Sequence, residues 1–181
     1  MIDKVREAVK KEANENDWKY HVSVVVKYSK LLAAKLGADV ELAELGALLH
    51  DIGRHKFGGE NHQVTGIPEA QRIMEGLGYP QEAIDEVKHC VESHRGKKGS
   101  VTPRTKVAEI IANADAMAHF DILPMFFYWR AEKSTFDEAL VWMGKKYERD
   151  WDKMTIPEAR EMMKEKHETI KKVLEWNRQY M

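Results

Sequence analysis

The chain has one cysteine, Cys90, among 181 residues. No internal disulfide can form, and a reducing compartment, the cytoplasm, is the expectation. Prolines number only five, and the alternating Val/Ile/Thr runs of strands are missing, so the pattern does not suit a β-sheet protein. No apolar run approaches the ~20 residues of a membrane span. The opening stretch, MIDKVREAVKKEANEND, is charged and amphipathic, unlike a secretory leader. Neither sign of charge dominates: 29 basic and 30 acidic residues leave a formal net charge of −1, which argues against general binding of nucleic acid or membrane surfaces. What is present is 43% hydrophobic residues, enough for a real core, and 33% charged residues to cover it. The length suits one domain, 1–181.

The periodicity is helical almost throughout. Ile2, Val5, Ala8 and Val9 predict a first helix. Asp17 reads as the N-cap of a second, Trp18 to Leu36, stopped by Gly37. Asp39 caps a third, running through Leu42, Leu45, Leu48 and Leu49 into His50. From Ile52 to Gly66 the Gly-rich, polar composition predicts a loop. Helices are then expected over Pro68 to Leu77, over Gln81 to His94, and from Thr102-Pro103 through Met117, with a basic loop from Arg95 to Ser100. Pro124 reads as an interruption. Phe136 to Trp151 and Ile156 to Tyr180 complete an all-α bundle of seven to nine helices.

Within this frame the histidines and aspartates take on a pattern. His50-Asp51 closes an apolar helical run and opens a Gly-rich turn. His21 lies 16 residues before Gly37 and His50 lies 11 after Asp39, roughly 24 and 17 Å along antiparallel helices, so both imidazoles come near one open end. His94 continues the apolar face of Ile84, Val87 and Val91, whereas His89 lies about 140° away and reads as a surface residue. Asp115 follows Ala108, Ile111 and Ala112 at helical spacing, and a carboxylate on a buried face wants a cation. A lone histidine beside an apolar face is usually a hydrogen-bonded core residue, so the set carries the argument. His55, His119 and His167 read as ordinary, with His119 a neighbour one turn beyond Asp115. The stripe Phe126 to Trp129 reads as core or homodimer packing rather than a base-stacking platform.

Those residues resemble the HD-domain superfamily of metal-dependent phosphohydrolases, over Trp18 to Phe120. The resemblance implies an HD-like helical bundle with its metal-site core in 17–120 and a C-terminal helical extension over 121–181. Its early His, adjacent His-Asp pair and late Asp match His21, His50, Asp51 and Asp115. The stretch from NHQVTG to VESHR resembles subgroups with two added histidines, matched by His62 and His94. There the implication is a second metal with Asp51 bridging; in single-metal members the two positions serve the substrate or the attacking water. The C-terminal segment resembles small HD hydrolases whose tails carry cleft-facing basic residues where Lys145 and Arg160 fall.

Nitrogen-rich ligands with two carboxylates suit Mn, Fe, Ni, Co or Zn, with Mg able to occupy a more open position. One or two such ions would lower the pKa of bound water towards ~7 and polarise a phosphoryl oxygen. Asp51, His62, His94 and Arg54 are the expected catalytic residues, and Lys56, Arg95, Lys97 or Lys98 would offset phosphate charge. The expected substrate is a nucleotide or other small phosphate ester. Two other readings remain open: a metal-stabilised nucleotide-sensing or scaffold domain without turnover, and a helical interaction module whose histidines are incidental.

Overall fold

The structure is a computed structural model that describes residues 1–96 and 100–178. Among these, nine helices are nine or more residues long. In chain order they are α1 (Ile2–Glu12), the single turn α2 (Glu15–Asp17), a π-turn over Trp18–Val22, α3 (Ser23–Leu36), α4 (Val40–Leu49), the short α5 (Ile52–Phe57), α6 (His62–Gly76), α7 (Gln81–Ser93), α8 (Lys106–Asp121), α9 (Leu123–Ala131), α10 (Phe136–Lys153) and α11 (Pro157–Arg178). No helix among the described residues is long and apolar enough to cross a membrane.

Local chemistry explains most boundaries. Gly37 ends α3 with φ 64°, a left-handed conformation that only glycine adopts cheaply. Asp39 caps α4 by accepting the Leu42 amide at 2.9 Å. The cap before His21 is Asn14 rather than Asp17: its side chain accepts the Asp17 amide at 2.8 Å. Asp17 itself is one turn further in and buried. Thr105, accepting the Ala108 amide at 3.1 Å, starts α8, three residues later than Thr102-Pro103 suggested. Pro124 lies in the first turn of α9, where its missing N–H costs nothing. Thr135 and Glu138 form a capping box on α10.

The largest departure lies between Ile52 and Gly66. That stretch is helical except around Gly58–Asn61, where Gly58 (φ 93°) and Asn61 (φ 50°) turn the chain. Pro68 sits inside α6 instead of starting it. The glycines that read as loop residues serve a helix crossing. A Cβ on Gly53 would lie 2.3 Å from the His62 carbonyl oxygen and 2.5 Å from the Gly66 amide nitrogen. Backbones that close tolerate no side chain at all.

Two apolar cores flank α4. Val5, Val9, Leu45, Leu48, Leu49, Met74 and Val87 form one, from α1, α4, α6 and α7. Val25, Leu32, Ala43, Ala47, Ile111, Met117 and Met163 belong to the other, from α3, α4, α8 and α11. Residues Ala43 to Leu49 of α4 are all buried; six are apolar or glycine, and the seventh, Glu44, is paired with Arg6 and Lys30. Its C-terminal end, His50-Asp51, therefore emerges on the seam between the cores.

Candidate metal centre

Five segments deliver side chains to that seam. His21 comes from the π-turn, His50 and Asp51 from the α4–α5 joint, His62 from the first residue of α6, and His94 from the end of α7. Asp115 and His119 sit one turn apart on α8. Every one except His119 is buried, and the His119 side chain is only 12% exposed.

The imidazoles are oriented by backbone oxygens. His50 Nδ1 donates to the Ala47 carbonyl at 2.7 Å, His62 Nδ1 to Gly59 at 2.9 Å, and His94 Nδ1 to Val91 at 2.7 Å. His119 Nδ1 is likewise 3.0 Å from Asp150 Oδ2. A proton on Nδ1 leaves the Nε2 lone pair facing inward, as a metal-ligating histidine requires. The Nε2 atoms of His62 and His94 are 3.1 Å apart, and so are those of His21 and His50. Two lone pairs that close repel unless a positive charge lies beside them. His21 Nδ1 has no hydrogen-bond partner among the described residues.

Asp51 faces both pairs. Its Oδ1 lies 3.0 Å from His62 Nε2 and 3.4 Å from His94 Nε2. Its Oδ2 lies 3.4 Å from His21 Nε2 and 3.7 Å from His50 Nε2. Asp115 Oδ1 approaches His21 at 3.4 Å and His119 Nε2 at 3.3 Å. Three groupings thus have the spacing of a metal site: His21, His50 and Asp51; Asp51, His62 and His94; and His21, Asp115 and His119. The donor set fits divalent ions, with neutral nitrogens in the majority and carboxylates to balance charge.

Titration follows from the same geometry. Burial drives His50 down to about 3, against the pull of Asp51. Burial alone would raise the Asp51 carboxyl, but His50, His21, His62 and His94 together hold it well below the usual carboxylate range. Asp115 behaves alike, with Lys153 as its strongest partner, at 2.6 Å. His62 is pushed up: burial opposes this, but its hydrogen bond to Asp51 prevails. Positive charge is what this arrangement draws in.

A cleft of about 490 Å³ opens above the cluster, within the range of small-molecule sites. Arg54 and Arg95 line it, as does α10 through Trp142, Lys146 and Lys153. Arg54 Nη1 is 3.9 Å from Asp51 Oδ2, and its guanidinium lies over Trp129. Arg95 donates to Gln63 Oε1 at 2.9 Å. Phe126 and Trp129 line the cleft as well, so part of that aromatic stripe faces it, while Tyr128 is exposed.

Three basic residues singled out in the sequence are elsewhere. Lys56 pairs with Glu69 at 2.8 Å, outside the cleft. Lys145 is exposed on α10. Its neighbour Lys146, about 100° round the helix, is the buried cation of the cleft. Arg160 donates to the Met154 carbonyl at 2.6 Å and stacks on Trp151, tying the α10–α11 junction. Lys97 and Lys98 lie outside the described residues. His89 accepts the Arg104 amide, and His167 stacks on Trp151. Sequence reasoning passed over the Lys146–Asp150 pair, 2.8 Å apart. The available signal was two opposite charges at i and i+4 on the face that also carries Met143 and Tyr147.

Helices presenting histidines and aspartates around a common point define a class of helical metal-centre proteins. Within it, the chain belongs to the HD-domain family: the HD domain model matches residues 19–119. Members of this family are generally metal-dependent phosphohydrolases. Among curated relatives, ribonuclease Y of Thermobifida fusca is 40% identical over 91 residues, covering 49% of this chain and 16% of that protein. Ribonuclease Y of Fervidobacterium nodosum is 36% identical over 101 residues, covering 54% and 17%. The chain thus spans less than a fifth of the length of these relatives. Among solved structures, Bacillus subtilis YpgQ in complex with ADP aligns with a TM-score of 0.77 at 20% identity, over 98% of this chain and 94% of that one. A protein described as a predicted HD superfamily hydrolase, from an uncultured Thermotogales bacterium, aligns with a TM-score of 0.63 at 20% identity, over 99% and 91%. At such identities the structural likeness speaks for the fold.

Proposed function

We propose that the chain is a metal-dependent phosphohydrolase acting on a nucleotide or similar small phosphate ester. The observation that carries this reading is Asp51, whose two oxygens face two separate histidine pairs on the floor of a cationic cleft. Divalent ions held by His21, His50, Asp51 and Asp115 on one side, and by Asp51, His62 and His94 on the other, would activate water and polarise a phosphoryl oxygen. Mn, Fe, Co, Ni or Zn suits the nitrogen-rich pairs, and Mg a more open position.

The protein's own groups do the rest. Lys153 keeps Asp115 ionised and aimed at the cluster. Asp150 holds His119 by its Nδ1, and Lys146 neutralises Asp150 from inside the wall. Arg54 and Arg95 line the same cleft, ready to offset charge as it builds on a phosphoryl group. Phe126 and Trp129 give the cleft an apolar flank for the remainder of the substrate. ADP in the YpgQ complex supports a nucleotide, and the even charge balance supports a small ligand over a nucleic-acid chain. The buried, free Cys90 suits a reducing compartment, the cytoplasm.

Metal quantification on purified protein, then a phosphate-ester panel with Mn²⁺, Co²⁺, Ni²⁺ and Mg²⁺, tests the reading. Stoichiometric metal and phosphate release are expected, and Asp51→Ala should lose both. Full activity in a metal-free Asp51→Ala protein would overturn it.

A further inference from the structure

Six cationic side chains line the cleft against three carboxylates: Arg54, Arg95, Arg130, Lys146, Arg149 and Lys153 against Asp51, Asp115 and Asp150. The carboxylates are already engaged. Asp115 holds Lys153, Asp150 holds Lys146, and Asp51 faces the histidines. Arg130 and Arg149 form no ion pair with a carboxylate among the described residues.

Their placement is specific. Lys146, Arg149 and Lys153 stand at i, i+3 and i+7 on α10, so Arg149 is a helical neighbour of both lysines. Like charges at that spacing repel and weaken a helix; Asp150 and Asp115 offset the two lysines, and Arg149 alone of the three has no carboxylate partner among the described residues. Arg130 crosses from α9 and lies over Trp142, 5.8 Å from the ring centroid, which fixes the guanidinium plane. Its Nε is buried with no hydrogen-bond partner, although buried donors in native proteins are nearly always satisfied. Trp142 in turn packs beside Phe126, and Phe126 beside His119. Arg130 thus belongs to the cleft's wall, an aromatic layer away from His119, and Arg149 to its rim.

We propose that Arg130 and Arg149, against Trp142, form a second phosphate subsite, which selects substrates bearing two or more linked phosphates over simple monoesters. This deepens the phosphohydrolase reading and rests on it for the first phosphate. One phosphoryl group sits over the His/Asp cluster between Arg54, Arg95 and Lys153. The next reaches the outer wall, where the planar guanidinium of Arg130 and the rim charge of Arg149 each offer paired donors to its oxygens.

The test compares wild type, Arg130→Ala and Arg149→Ala on ADP, ATP and p-nitrophenyl phosphate, with pyrophosphate and orthophosphate binding to metal-free protein measured by calorimetry. Each variant should lower the ratio of kcat/KM for the polyphosphates to that for the monoester by about tenfold, mainly through KM. Wild type should bind pyrophosphate more tightly than orthophosphate, and Arg149→Ala should remove that difference. Arg149 is exposed at the rim, so its loss leaves the fold standing, which circular dichroism verifies. A ratio that stays within about twofold, or equal binding of the two anions by wild type, sinks the proposal. If wild type hydrolyses no ester yet prefers pyrophosphate, the hydrolase reading fails and the subsite stands.

Discussion

Asp51 and Asp150 work at different depths of the same site. Asp51 touches four imidazole nitrogens directly, while Asp150 acts only through His119 and Lys146. Replacing Asp150 by Ala removes the acceptor that orients His119. Metal affinity or turnover should fall about 10–100-fold, read by metal titration and steady-state kinetics. Acid should also unsettle the metal-free protein through His50. Its folded value is about 3 against an ordinary 6.5, so between those limits the unfolded chain binds the extra proton. The His50 contribution, complete above about pH 6.5, is therefore lost as pH falls towards 3. Urea unfolding of chelator-treated protein at falling pH should show stability declining over that interval; a flat profile would count against neutral, buried His50. At this scale His21, His50, Asp51, His94 and Asp115 could be picked out from helical faces and spacing, whereas His62, in a stretch that reads as loop, was reached only through the resemblance. His119 was seen as a neighbour of Asp115 but read as ordinary, and the Lys146–Asp150 pair was not seen, since a charge buried by its partner leaves the same sequence trace as one in solvent. Lys145 and Lys146 differ only by a rotation that sequence spacing does not fix.

Among the elements, the α5–α6 crossing is the one that composition concealed. Glycine signals loops because it tolerates unusual backbone angles, but Gly53 and Gly66 are there for want of a side chain. Gly53→Ala should cost about 1–3 kcal/mol by overpacking. It should also displace His62, whose carbonyl is the nearest obstacle. Thermal melts and metal binding measured together check this: a lower Tm with weakened binding is expected, and an unaltered melt would contradict the close crossing. Elsewhere the caps were easier to see. Gly37, Asp39 and the start of α7 at Gln81 stand where the sequence put them. The shift from Asp17 to Asn14, and from Thr102 to Thr105, came from picking one of two plausible cap residues within a turn.

Taken whole, the molecule sets its His/Asp cluster between two cores, with His62 and His94 arriving from one side and His21 and Asp115 from the other. An ion bound there ties the sides together and stabilises only the folded state. At a free-ion concentration about a hundredfold above Kd the gain is about 2.7 kcal/mol, or about 5–10 °C in Tm for a chain of this size. Scanning calorimetry with and without a chelator measures it; equal melts in both conditions would refute metal-linked stability. The all-α class was legible from periodicity alone, whereas local spacing does not say which residues of a distant helix cover a cleft: the resemblance pointed to Lys145 and Arg160, and Lys146, Arg149 and Lys153 line it.

That wall has an evolutionary meaning. The floor of the cleft is furnished within residues 19–119, and α9 and α10 come after that segment ends. On the proposed reading, the ligands would lie in one stretch of the chain and much of the wall that meets the substrate in another, with Asp150 and Lys153 of the wall still braced against His119 and Asp115. Drift in the later stretch would then be freest at Arg130, Trp142 and Arg149, which line the cleft without touching the His/Asp cluster, and could alter what the cleft accepts while the ligands pass on unchanged.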